Sequence, residues 1–169
     1  DMSELGKFIA FQAAVALMPK TEEGTEIVLI IKHRVNEIEL LKNVEPKFGL
    51  EIDIRSFGND LIIQHDPFKN GVKFDDWLKY YNHETIILNV KEEGLERDVL
   101  SLMKKYAIDK YFFLDQSFPF LIKTSEYNSK CAIRVSEFEH ISTAMNLAGR
   151  VEWVWVDSFS QDGIFQIDL

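Results

Sequence analysis

Short runs of apolar, β-branched and aromatic residues recur along the chain, separated by stretches whose apolar positions repeat every three to four residues. The runs are 27–31, 50–55, 61–65, 85–90, 111–114, 132–135 and 151–156, and their Ile, Val, Phe and Trp content predicts strands. Between them, 94–106 carries Leu95, Val99, Leu102, Met103 and Tyr106 at helical spacing. A second helix is predicted over 136–147, with Phe138, Ile141, Ala144, Met145 and Ala148 on one stripe and Ser136 or Glu137 near its start. Strand and helix in alternation predict an α/β fold with a parallel sheet. No repeat or linker divides 27–169, which reads as one domain. Residues 1–26 form an N-terminal extension. Within it, 8–18 is apolar apart from Gln12, but Asp1 and Glu4 against Lys7 are the wrong charge for a secretory signal, so a short packed helix is predicted.

Successive side chains of a strand point to opposite faces. Leu50, Ile52 and Ile54 therefore share one face, and Glu51, Asp53 and Arg55 the other. By the same rule Asn89 pairs with Lys91, Asp115 with Ser117 and Arg134 with Ser136, while Trp153, Trp155 and Asp157 lie together. One polar strand end is usually the start of a solvated loop. Six in succession predict a polar site at the C-terminal ends of the strands, where parallel α/β folds build their sites.

Composition narrows the chemistry. At 169 residues, 46% hydrophobic and 28% charged, with 4 Pro and 8 Gly, the chain is neither collagenous nor low-complexity. It lacks the ~18-residue apolar stretch of a membrane span, so no membrane insertion is expected. A net charge of −9 without a dense Lys/Arg block argues against nucleic acid as the main partner. An acidic chain can still handle a phosphorylated small molecule if a cation inverts the local field. The lone Cys131 forms neither an internal disulfide nor a cysteine zinc site, so a reducing, cytoplasmic setting is expected, with Cys131 a core residue.

Three stretches suit phosphodiester chemistry: His33-Arg34, Glu51-x-Asp53 and His65-Asp66-Pro67. Carboxylates two apart on a strand project to one side and can grip a hard cation. Two histidines can divide proton transfer, and Arg34 offers a planar fork for phosphate oxygens. His83 and His140 stand outside these stretches and read as structural. Arg134 and Asp157 are candidates to pair with each other, and Trp153 and Trp155 to fill the interior.

In order and spacing these stretches resemble the glycerophosphodiester phosphodiesterase family, among the phospholipase-C-like phosphodiesterase barrels, over 27–159. The resemblance implies a TIM-barrel-like (β/α) fold. It implies His33 and His65 as the acid–base pair and Arg34 and Lys91 as phosphate contacts. A divalent cation, Mg²⁺ or Ca²⁺, would sit on Glu51 and Asp53. Asn89 stands where the family has a third metal-binding glutamate, and Asp115 on the next strand is a candidate to compensate for it. Asn36 or Glu37 follows His33-Arg34 where the family continues differently. The implied activity is metal-assisted hydrolysis of a glycerophosphodiester-like or sugar-phosphate small molecule.

Asn89 and the chain length favour an alternative, a phosphate-ester-binding barrel without turnover. A third reading is an unrelated open α/β sheet; no glycine-rich phosphate loop follows the first strand, against a dinucleotide or P-loop protein. Six strands are short of the eight in ~250 residues that such a barrel takes, so an incomplete barrel lacking its C-terminal strands is expected. Its open edges would be covered by residues 1–26 or by a second copy in a homo-oligomer.

Overall fold

A computed structural model of the chain describes residues 13–15 and 29–159. In chain order its elements are β1 (Ala13–Val15), β2 (Ile31–Lys32), α1 (Ile38–Asn43), β3 (Gly49–Phe57), β4 (Asp60–Ile63), β5 (Val72–Lys73), α2 (Phe74–Leu78), β6 (Ile86–Val90), α3 (Glu96–Lys105), β7 (Tyr111–Leu114), α4 (Phe118–Ser125), β8 (Ala132–Val135), α5 (Ile141–Asn146) and β9 (Trp153–Val156). The fold is α/β.

A six-stranded mixed sheet runs β5-β4-β3-β6-β7, with β2 also paired to β3. In it β2, β3, β6 and β7 are mutually parallel neighbours, whereas β4 and β5 are antiparallel additions. A smaller sheet, β1-β9-β8, has β8 and β9 parallel and β1 antiparallel to β9. A single parallel bridge from Phe113 to Cys131 carries the order from β7 to β8. The edge of β3 away from β6 is shared: its start pairs with β2, and its end turns back through Gly58-Asn59 to pair with β4. Gly58 has φ +63°, at the first central position of a two-residue hairpin, where a type II′ turn calls for glycine.

Register puts like residues side by side. Glu51 lies opposite Ile87 and Ile87 opposite Phe112; Asp53 lies opposite Asn89 and Asn89 opposite Leu114. One face of these strands packs under the helices. Leu50, Ile52, Ile54, Leu88 and Phe113 are buried there in one cluster with Phe74, Trp77, Val99, Met103 and Leu121. Burying such a side chain contributes roughly 1.5–3 kcal/mol, so this face holds the helices. The other face carries a second cluster, Ile87, Phe112, Leu114, Ala132 and Trp155, extended by Ile31 and by Trp153, which stacks on Phe112 at 4.3 Å.

Several expectations change. The described residues form no closed barrel: β4 and β5 occupy one side of β3, and β1 lies along β9. Ala13–Val15, inside the helix predicted over 8–18, is a strand, because the open edge of β9 offers backbone partners from Val154 to Val156. The rest of 1–26, with 27–28 and 160–169, lies outside the described residues. The helix predicted over 136–147 is confined to Ile141–Asn146. Ser136 and Glu139 close a turn through both backbone directions and a side-chain bond of 2.8 Å, and the His140 imidazole accepts the Ser142 N–H to cap α5. Phe138 and Met145, on the predicted stripe, are exposed. Among the described residues no helix is long and apolar enough to cross a membrane.

Candidate functional site

The C-terminal ends of the parallel strands bring the polar residues together. His33 and Arg34 follow β2, Glu51 and Asp53 lie within β3, Asn89 and Lys91 end β6, Asp115 follows β7, Arg134 lies in β8 and Asp157 follows β9. Glu51 and Asp53 are fully buried and Asn89 nearly so. Buried carboxylates are expensive unless they are paired or hydrogen-bonded. Here they are.

Glu51 Oε2 accepts the Arg34 backbone N–H at 2.7 Å and lies 3.4 Å from His33 Nε2, while Oε1 accepts the Asn89 amide at 2.8 Å. Burial, and then the charge of Asp53, raise the Glu51 carboxyl above its ordinary range. Asp53 Oδ2 accepts the Asn36 amide at 2.8 Å, and Asn36 Oδ1 accepts the Asp53 backbone N–H at 3.0 Å. Asp53 Oδ1 accepts no hydrogen bond and faces Lys91 Nζ at 3.2 Å; the same ammonium lies 3.5 Å from Asp115. Asp115 in turn meets the Arg134 guanidinium, which is 3.8 Å from Asp157 and 3.9 Å from Glu139. Charge thus alternates across the strand ends.

His65 arrives from the hairpin. Its Nδ1–H donates to Asp66 at 2.9 Å, since an ionised carboxylate only accepts, and its Nε2 accepts from Arg34 Nη2 at 2.9 Å, since a guanidinium only donates. The His65 and Lys69 hydrogen bonds hold Asp66 down to about 2. Arg55, on the face predicted for Glu51 and Asp53, donates to the His65 carbonyl at 3.0 Å and so fixes that loop against β3. Arg34 therefore links the two histidines, its main chain to the Glu51 side and its side chain to His65.

Arg34 and Asp115 both take left-handed backbone, φ +53° and +60°. Such a conformation costs a non-glycine residue about 1–2 kcal/mol. In Arg34 it accompanies the N–H bond to Glu51. Two strained residues inside one polar cluster fit a site selected for placement rather than for stability. A cavity of about 150 Å³ opens beside Asp115, lined also by Val90, Lys91, Glu92, Glu93, Glu96 and Ser117.

The residues do not make a metal site. Among the described residues no three His, Cys, Asp or Glu are grouped to hold an ion. Three of the four oxygens of Glu51 and Asp53 accept N–H donors and the fourth faces an ammonium. Asn89 Oδ1 is left buried without a donor, and one neutral oxygen is far from the six or so that a hard cation takes.

Residues outside the three sequence stretches also matter. Arg55 and Asn36 position Asp53 and His65, and Glu96 is buried against Gly94 N–H and Gln116. His83 donates to the Val44 carbonyl at 3.0 Å, away from this cluster. Cys131 is buried, which pushes its thiol up to about 12. Neither a family model nor a curated protein nor a solved structure matches the chain.

Proposed function

We propose that these strand ends bind a phosphate ester and cleave a phosphodiester by proton transfer between His65 and His33. The observation that carries the reading is the pair of histidines, each against a carboxylate and both tied to Arg34. His65, with its Nδ1 proton committed to Asp66, is the base once the Arg34 fork turns from its Nε2 lone pair to the phosphate. It takes the proton of an attacking water or substrate hydroxyl, whose oxygen forms the new bond to phosphorus. His33 gives a proton to the leaving oxygen as the old P–O bond breaks, so attack by water yields a monoester and an alcohol, and attack by a substrate hydroxyl yields a cyclic diester and an alcohol. The Arg34 fork neutralises the phosphate. The unsatisfied Asn89 Oδ1 favours a substrate bearing a hydroxyl near the phosphate.

Parallel strands β2, β3, β6, β7, β8 and β9, neighbours in chain order, are what an incomplete (β/α) barrel would present, with its site at the C-terminal face. This agrees with the resemblance to glycerophosphodiester phosphodiesterases. The test is hydrolysis of a glycerophosphodiester by the chain. His33→Ala and His65→Ala should each lower the rate ~10²–10⁴-fold. Turnover that survives both substitutions would overturn these roles. A second reading, binding without turnover, is favoured by the engagement of Lys91 and Arg134 with carboxylates. It predicts a thermal shift with glycerol phosphate and no product.

A further inference from the structure

The resemblance calls for a divalent cation, and the residues present refuse one. The same donors explain what stands in its place. Asn89 turns an N–H, not an oxygen, toward Glu51. A carboxylate there would face Glu51 across a cross-strand neighbour position and demand a cation between them. An amide instead joins Glu51 by a hydrogen bond and adds no charge. Two residues on, Lys91 reaches back along the same strand face, only 19% exposed, and sets its ammonium between Asp53 and Asp115. Taken together, Glu51 is met by the Arg34 backbone N–H, the Asn89 amide and His33, Asp53 by the Asn36 amide and Lys91, Asp115 by Lys91 and Arg134, and Asp157 by Arg134. Every oxygen of Glu51 and Asp53 faces a nitrogen, so neither carboxylate is free to take a dication.

Resting on the reading that these strand ends form a phosphate-ester site, we infer that Asn89 and Lys91 replace the divalent metal with nitrogen donors built into the chain. Phosphate then binds to Arg34 beside carboxylates already held by nitrogen donors, and no metal is needed. A Lys ammonium is a compact point charge with three donors, suited to sit between carboxylates as an ion would. It differs from an ion in one respect: it cannot be chelated away.

Calorimetric titration of the EDTA-washed chain with Mg²⁺ and with Ca²⁺, without any phosphate, tests this directly. The wild type should take up neither stoichiometrically. Asn89→Glu should gain one equivalent, in the ~0.1–1 mM range of weak calcium modules, because a third carboxylate then joins Glu51 and Asp53. Should Asn89→Glu fail to fold, Lys91→Met tests the same point by removing the internal cation, and the same gain is expected. Uptake by the wild type that is lost in Glu51→Ala would overturn the inference. So would the absence of uptake in both variants. A separate titration with inorganic phosphate in EDTA tests the underlying reading: binding lost in Arg34→Ala supports it, and no phosphate binding overturns it whatever the metal result.

Discussion

The inner face of the parallel strands divides into two halves that differ in how they are held together. Toward the strand starts it is hydrocarbon and indole: Ile31, Ile87, Phe112, Trp153 and Trp155. Two residues further along β6, β8 and β9 it is charge and amide: Ile87 gives way to Asn89, Ala132 to Arg134 and Trp155 to Asp157, while β3 carries a carboxylate at both levels, Glu51 and Asp53. The first half needs no partners of fixed geometry, because apolar burial is non-directional. The second is bearable only while each group keeps its own donor or counter-charge. Replacing a buried ion pair by well-packed apolar residues is often neutral or stabilising, so folding alone gives little reason to put this layer at one end of every parallel strand. The lower half makes the structure; the upper half is the part on which the proposed chemistry rests.

The contrast is broken most forcefully from below. Trp155, 3% exposed in the apolar half, should cost about 3–5 kcal/mol as Trp155→Ala, read from urea denaturation. Phosphate binding at the upper half should be unchanged while the protein stays folded. A loss of binding without a loss of stability would mean that the two halves are not separable. The upper half gives a smaller and different response. Asp53→Ala strands the Asn36 amide and leaves Lys91 with Asp115 alone, a loss of about 1–3 kcal/mol. Asp53→Asn, which keeps an oxygen toward Asn36, should recover much of it. If Asp53→Ala proves harmless, the alternation of charge is not holding the strand ends.

The two halves were also unequally legible in the sequence. β3, β6, β7, β8 and β9 were readable because their β-branched and aromatic runs stand apart from their surroundings, and strict alternation already separated Leu50, Ile52 and Ile54 from Glu51 and Asp53. Helices α2 and α4 were not. Phe74–Leu78 is under two turns, and in Phe118–Ser125 the apolar residues are contiguous rather than periodic, with a proline in the first turn. Their stability comes from packing on the sheet. At the site, alternation brought the right residues to the same end without saying what they do there. Asn89 reads as an oxygen ligand in the sequence, yet it donates, because the direction of an amide is set by its neighbour Glu51. Nothing local announces that Arg34 adopts φ +53° or that its guanidinium reaches a histidine 31 residues away.

The smallest effect sharpens the comparison most, because it isolates the cost of one buried charge. Burial, reinforced by the charge of Asp53, raises the Glu51 carboxyl above its ordinary range. The unfolded chain releases that proton in the ordinary carboxylate range, while the folded chain holds it to higher pH. In the window between, the unfolded state is favoured, so this group's contribution to stability falls as pH rises and then levels off. Glu51→Gln has no proton to lose, and its side-chain oxygen can still accept the Arg34 N–H. Its denaturation midpoint, relative to wild type, should therefore rise as the pH climbs through and above the ordinary carboxylate range. Trp155→Ala, which removes no titrating group, should run parallel to wild type over the same range. Parallel behaviour of Glu51→Gln instead would mean that the Arg34 and Asn89 donors fully offset the burial of Glu51.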